Sequence, residues 1–390
     1  IEYIITWNPS SGKYKLPRVQ VLAKYRRLPN PASQVIPEEE CFGSGLAVTS
    51  DEATIKALAE AYERYVSGVL RIDAVSTATK IDAAGWIDPR RIVPLQPFAF
   101  ERHGWIEFNP HREWQWVTGR RHSTGEKTLV PVDLVFYPLS HEQLGRRLCY
   151  ASTSSGVAAH TNRQIAIEKA LLELVERDAI SVTWYSERKV NALPLAALPE
   201  DIQLRLRHWI REGWWVKFLD LTLDSVPVVL ATIYSTEKFP SFVAGAAAHP
   251  DWHIAAEKAW DEAEIFLLNW RRKKPRPLTP KKVFAPLQHG LLYFTSDNLR
   301  HAQWLLDAKE ACPGWKGNQS MADVLSQFDP VLVDLVLAGS ACSFNVVRAI
   351  SENLLPINFG YGTEHIGHKR MRSLGLKWKR KFPSFPHFFP

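Results

Sequence analysis

Residues 56–64, KALAEAYER, and residues 169–177, KALLELVER, share the spacing K-x-x-x-E-x-x-E-R, filled by Lys56, Glu60, Glu63 and Arg64 and then by Lys169, Glu173, Glu176 and Arg177. Lys258 and Glu262 repeat its first half a third time. Residues three and four apart share one face of an α-helix, so each full copy stacks two carboxylates one turn apart with a cation at either end. Taken singly, Lys56–Glu60 and Glu60–Arg64 read as i,i+4 ion pairs on a solvated face, each stabilising by about 0.3–0.5 kcal/mol. Two features point further. The neighbours Ala57, Leu58, Ala59, Ala61 and Tyr62, and Ala170, Leu171, Leu172, Leu174 and Val175, leave little polar circumference, which predicts that both helices are mostly buried. The repetition, read as an internal pseudo-duplication, brings four carboxylates to one pocket, a density of like charge that calls for metal ions. Mg²⁺ fits best, because it takes one or two carboxylates and completes its octahedron with water and phosphate oxygens. A nucleoside triphosphate could then be clamped without a P-loop; the chain has no GxxxxGK[ST], and Gly43-Ser44-Gly45 is too short to decide alone.

Around these helices the pattern is mixed. Strand-like runs in residues 3–27 flank a turn at Asn8 to Gly12. A helix is expected from Ser50 to about Val66, N-capped by Ser50 or Asp51. Hairpin strands are expected at residues 114–117 and 129–136, a long helix at about 163–186, strands at 215–221 and 226–234, and a third helix at roughly 254–270. A loop at 313–320, a helix near 321–328 and a strand around 344–350 complete the reading, an α+β class.

The 390 residues, 46% hydrophobic, are enough for one large core or two ordinary ones. No apolar run is long enough for a membrane helix, residues 1–17 lack signal-peptide order, and the chain reads as cytoplasmic. Cys41, Cys149, Cys312 and Cys342 form no CxxC pair and read as buried, reduced thiols. The net charge of +7 resides largely in residues 271–282, a proline-broken solvated loop, and residues 369–381, which could hold an acidic peptide or a phosphate. No nucleic-acid motif accompanies it. His249 with His253, and His365 with His368, have helical spacing but no third ligand, so capping or packing is the expected role. His160 is a further candidate for a phosphate or substrate contact.

With these residues assembled, the chain resembles the YcaO family. The resemblance rests on the glycine turn and first E-x-x-E-R helix, residues 43–64, and on the small-residue run Ser154 to Ala159 before Glu173, Glu176, Arg177 and Asp178. It also rests on the D-x-T-x-D-x-x-P stretch of Asp220, Thr222, Asp224 and Pro227, and on the turn Ala246 to Asp251 into the third helix. It implies one YcaO domain over 1–390: N-terminal strands and turn at 1–40, an ATP/Mg core at 41–270, and a C-terminal part at 271–390. It implies Mg²⁺ on Glu60, Glu63, Glu173 and Glu176, with Ser11, Arg64, Lys169, Arg177 and Glu262 completing the ATP site. The implied chemistry is ATP-dependent activation of a peptide amide, with thiazoline or oxazoline from Cys, Ser or Thr, or thioamide or amidine from an external nucleophile. Glu60, Glu176 and Pro390 are its catalytic candidates.

The tail, Phe382 to Pro390, resembles the proline-rich ending of the azoline-forming branch, whose terminal carboxylate accepts a proton, and its prolines lower the entropy cost of insertion. Implied partners are a ribosomal precursor peptide, a leader-binding protein resembling a ubiquitin-activating enzyme (no room being left for a separate leader-binding domain), a flavin-dependent azoline dehydrogenase, and further subunits of a homo- or hetero-oligomer; no nucleic acid or membrane partner is implied. This chain departs from the family's usual residues at Ser44, His160 to Asn162, Ile165 and Lys169, and in the P-x-x-P-x-x-x-P spacing of its tail. A noncatalytic peptide-binding subunit is the alternative that keeps the fold without the chemistry.

Overall fold

The computed structural model describes residues 3–7, 18–25, 41–70, 75–78, 85–273, 275–312, 315, 320–335 and 342–390. Among them lie three β-sheets. The first is an antiparallel meander of β1 (Tyr3–Trp7), β2 (Val19–Tyr25) and β3 (Cys41–Ala47). The Ser50–Ser67 helix packs on it through Ala53, Ala57 and Ala61. Contact is so close that a Cβ on Gly43 would lie 2.1 Å from the Ala57 carbonyl oxygen, and one on Gly45 1.8 Å from that of Ala53. Only glycine permits such backbone-on-helix approach.

The second sheet has seven strands: β4 (Val75–Ala78), β5 (Gly85–Trp86), β6 (Trp114–Arg121), β7 (Lys127–Pro131), β8 (Val157–His160), β13 (Val331–Leu335) and β14 (Asn345–Ile350). Its order is β5-β7-β6-β13-β14-β8, with β4 also on β6. The third runs β12-β11-β10-β9 from β9 (Asn191–Ala192), β10 (Trp215–Asp220), β11 (Val228–Tyr234) and β12 (Phe242–Ala248). Every residue of β11 and β12 is buried, because the Arg163–Ser186 and Trp252–Trp270 helices both pack on them. The Arg163–Ser186 helix also contacts β14 and β8, so it lies between the second and third sheets. No helix among the described residues is long and apolar enough to cross a membrane.

Several expectations shift. The N-cap of the first helix is Thr49, whose hydroxyl accepts from the Glu52 N–H, because its extended backbone places that oxygen over the first turn. Residues 132–135 form a helical turn rather than strand: β7 ends at Pro131, which has no N–H to continue a ladder. The first helix buries Ala53, Ala57 and Ala61 and, toward its C-terminus, Tyr62, Val66 and Ser67, but leaves Glu52, Ile55, Lys56 and Arg64 exposed, contrary to the reading of both helices as mostly buried. Cys41 and Cys149 are buried, but Cys312 is exposed. The turn at residues 8–12 and most of the 313–320 loop lie outside the described residues.

Candidate active site

β3, β8 and β12 are each the last strand of their sheet, so each carries outward N–H groups with no strand beyond to accept them. Helix glutamates take this place. Ser44 of β3 donates its N–H to Glu60 Oε2 at 2.7 Å, and Ala246 of β12 donates to Glu262 Oε2 at 2.9 Å. Ala159 of β8 donates to Glu63 Oε2, and Gly156, just before that strand, donates to Glu173 Oε2, both at 3.1 Å. Four carboxylates from three helices are thus each fixed through one oxygen by rigid sheet backbone.

Three arginines stand among them. Arg64 bonds Glu60 at 2.5 Å and donates to the Phe42 carbonyl; Arg177 reaches Glu176 at 2.6 Å and Glu173 at 3.4 Å. Arg348, buried on β14, donates to the Thr153 carbonyl and to Ser152 Oγ. Burial lowers it to about 10, against the opposing fields of Tyr150, Glu173 and Glu63. Glu60, Glu63, Glu173, Glu176 and Glu262 outnumber these arginines. Burial, then the fields of Glu173 and Glu60, pushes Glu63 well above the ordinary carboxylate range. Glu176 rises to about 8, first through burial and, against Arg177, through Glu262 and Glu173. Burial also raises Glu173 and Glu262.

One turn N-terminal to the glutamates, Lys56, Lys169 and Lys258 form a second tier. Desolvation and Lys56 lower Lys169; desolvation, Lys169 and Lys56 lower Lys258. Three ammonium groups therefore share a field beside an acidic one, the arrangement that a polyphosphate with bound cations complements.

The C-terminal tail enters the core. Phe388 and Phe389 are buried, and the Phe389 ring lies 4.5 Å from the Arg177 guanidinium carbon. Tyr293 Oη donates to the Pro386 carbonyl at 2.7 Å, Trp184 Nε1 donates to that of Phe385, and the His289 ring meets the His387 carbonyl at 3.0 Å. Pro390 is half-buried beside Gly290. The tail is thus packed into the core rather than frayed.

Residues 44–354 match the profile of the family described as YcaO cyclodehydratase, ATP- and Mg²⁺-binding. The chain belongs to the YcaO family. An uncharacterised protein of Methanothermobacter thermautotrophicus is 26% identical over 223 residues, which are 56% of this chain and 55% of that protein. A heterocyclase solved with substrate and cofactor aligns with TM-score 0.66 and 20% identity, over 85% of this chain and 47% of its own. This chain therefore spans about half the length of either. The YcaO protein of Methanopyrus kandleri, solved with AMPPCP and Mg²⁺, aligns with TM-score 0.64 and 21% identity, over 90% of this chain and 85% of its own.

The site's residues fit the YcaO ligands, ATP and Mg²⁺. The donors are carboxylate oxygens, which hard cations prefer, and burial first and then their mutual fields raise the proton affinities of Glu63 and Glu176, a cost that a bound cation would relieve. Among the described residues no three His, Cys, Asp or Glu side chains are gathered around one point. The four carboxylates expected from the sequence are therefore near one another without forming one tight metal cluster.

Of the residues singled out by sequence, Glu60, Glu63, Arg64, Lys169, Glu173, Glu176, Arg177 and Glu262 form this one neighbourhood, and the tail reaches its edge. Ser11 lies outside the described residues. Lys56 does not pair with Glu60; it meets Glu52 at 2.7 Å and the Leu46 carbonyl, because Arg64 already occupies Glu60. His368 caps the Lys369–Ser373 helix, and the His249 ring accepts the Asp251 N–H. Asp220, Thr222 and Asp224 serve structure: Asp220 and Thr222 accept backbone N–H groups within their turn, and Asp224 pairs with Arg370, which also binds Asp178. Sequence reasoning named Lys56 and Lys258 only as parts of a pattern and missed Arg348; nothing local marks Arg348, since only the β14–β8 pairing brings it to the site.

Proposed function

We propose that this chain is an ATP-dependent cyclodehydratase that converts Cys, Ser or Thr of a ribosomal precursor peptide to thiazoline or oxazoline. The observation that supports the reading is the set of four glutamates on three helices, three held by a sheet-edge N–H and Glu173 by that of Gly156 just before β8, sharing one field with three lysines. Glu60, Glu63, Glu173 and Glu176 would hold Mg²⁺, with Glu262 beside them, and the ion supplies neutralisation of charge on the phosphoryl group in transfer. Lys56, Lys169 and Lys258 bind phosphate oxygens, and Arg64 and Arg177 keep the carboxylates in place.

In the reaction the side-chain thiol or hydroxyl adds to the preceding amide carbon and loses its proton. The resulting oxyanion attacks the γ-phosphorus of ATP, releasing ADP. Loss of the amide N–H proton and of phosphate, which carries away the former amide oxygen, then leaves the ring C=N bond. Positioning and charge neutralisation account for catalysis of this kind. The inserted tail, which resembles that of the azoline-forming branch, supports ring formation over attack by an external nucleophile, since it packs Phe389 against Arg177 at the edge of the site. A leader-binding protein resembling a ubiquitin-activating enzyme would deliver the precursor, and a flavin-dependent dehydrogenase could oxidise its rings.

Mass spectrometry of a Cys- and Ser-containing precursor incubated with the protein, its leader-binding partner, Mg²⁺ and ATP tests the reading. Loss of about 18 Da per modified residue, one water, in wild type and not in Glu176→Gln is expected. ATP consumption without that loss would mean another nucleophile; absence of consumption would mean a binding subunit.

A further inference from the structure

Arg348 lies outside the E-x-x-E-R pattern, yet its place is specific. β14 pairs with β8 at Arg348↔Val157, so the arginine stands next to the strand whose backbone holds Glu63 and Glu173. Its guanidinium bonds the Thr153 carbonyl at 2.6 Å and Ser152 Oγ at 2.8 Å, tying down the segment that leads into Gly156. That segment has little other freedom: Gly156 has φ +82°, and a Cβ there would meet Leu174 at 2.7 Å and the Ala349 carbonyl at 2.8 Å. Ser155 donates its N–H to Thr153 Oγ1, which makes residues 152–156 one bonded turn hung on Arg348. Arg348 Nε is buried and has no hydrogen-bond partner among the described residues, and the side chain lines a cavity of about 40 Å³ with Tyr150, Ser152, Thr153, Ser155 and Leu174. A buried cation left partly unbonded beside two carboxylates is costly unless its charge is used.

We propose that Arg348 is a positioning residue for the Mg²⁺ site: it sets the turn that offers the Gly156 N–H to Glu173 and places a fixed positive charge behind Glu173 and Glu63. Its role rests on the nucleotide-binding reading above and adds a residue from the strand next to β8. The charge lets the carboxylates stay close before metal arrives, and the two-pronged bond to residues 152–153 fixes where they point.

The test is binding of the nonhydrolysable analogue AMPPCP, followed calorimetrically over a series of Mg²⁺ concentrations, for wild type, Arg348→Met and Arg348→Lys, with circular dichroism to verify folding. Arg348→Met is expected to need at least tenfold more Mg²⁺ for half-maximal binding, while Arg348→Lys, which keeps charge and loses the fork, falls between it and wild type. If Arg348→Met does not fold, Arg348→Lys alone decides: a reduced Mg²⁺ affinity supports the role and a wild-type affinity overturns it. Folded Arg348→Met with wild-type binding overturns it while leaving the nucleotide site intact. Wild type that binds no AMPPCP at any Mg²⁺ concentration overturns both this role and the functional reading it rests on.

Discussion

Gly43 and Gly245 each let a helix settle directly on a sheet edge, the first under Ala57 and Ala61 and the second under Ala259 and Ala263. In both places the next strand residue, Ser44 or Ala246, gives its N–H to a glutamate, Glu60 or Glu262, and a lysine lies one turn before it. The two modules correspond at one constant sequence offset through strand and helix. They part company where the first has Glu63 and Arg64, because the third helix has Ile265 and Phe266, and Phe266 packs 5.7 Å from the Phe294 ring. Glu63 leaves its own sheet and takes the Ala159 N–H of another. A shared frame thus supplies one carboxylate per module, and the added pair makes one side chemically richer. The Arg163–Ser186 helix has the full sequence motif but a different frame, so similarity in motif and similarity in packing divide the three helices differently.

The largest effect should come from the acidic side. Glu60→Gln or Glu173→Gln should lower ATP turnover on the order of 100- to 1000-fold while the fold persists, since glutamine keeps an oxygen for the backbone N–H; phosphate release measures this. Glu262→Gln should cost less than Glu60→Gln if the first module is the richer one, and equal losses would break the comparison.

Next in size is the tail. Phe389 is fully buried, so Phe389→Ala should destabilise by about 3 kcal/mol in urea denaturation and also reduce turnover by freeing Arg177. The glycine frame follows: a Cβ at Gly43 or Gly245 would overlap helix backbone at 2.1 or 2.4 Å, so alanine at either should cost about 1–3 kcal/mol by the same measurement.

A smaller effect is pH-dependent. Glu176 has its folded proton affinity raised from 4.5 to about 8, and Glu63 rises in the same direction. A carboxyl with a raised folded pKa stabilises most below its unfolded value and loses that contribution as pH rises through the folded one. The buried His365 and His387, lowered to about 3 and about 4, oppose this only below their unfolded value of 6.5. Thermal stability of the metal-free protein should therefore fall between pH 6.5 and about 8, and saturating Mg²⁺ with AMPPCP should flatten the slope, because bound cations favour the ionised carboxylates. The smallest change is expected for Lys56→Ala: its side chain is 50% exposed and already engaged by Glu52, so KM for ATP should rise by less than about tenfold.

Much of this was legible in the sequence because helical spacing is local. The Arg163–Ser186 and Met321–Phe328 helices fall where periodicity puts them, and β10, β11 and β14 lie within a residue or two of expectation. The Glu200–Arg211 helix went unseen: Pro199 precedes it, no side-chain cap marks its start, and Ile202, Leu206 and Trp209 are its sparse buried stripe. The carboxylates were readable through their repetition, whereas their backbone partners were not, since Ser44, Ala159, Gly156 and Ala246 contribute only an N–H, which every residue but proline has. The place of Arg348 beside the site depends on strand order, which no local window contains.

That glutamates from three helices together bind Mg²⁺ with nucleotide is tested by calorimetric titration of AMPPCP into wild type and Glu176→Gln, with and without Mg²⁺. The account predicts Mg²⁺-dependent binding in wild type with proton release, and at least tenfold weaker binding in Glu176→Gln. Equal affinities in both proteins, or binding indifferent to Mg²⁺, would contradict it.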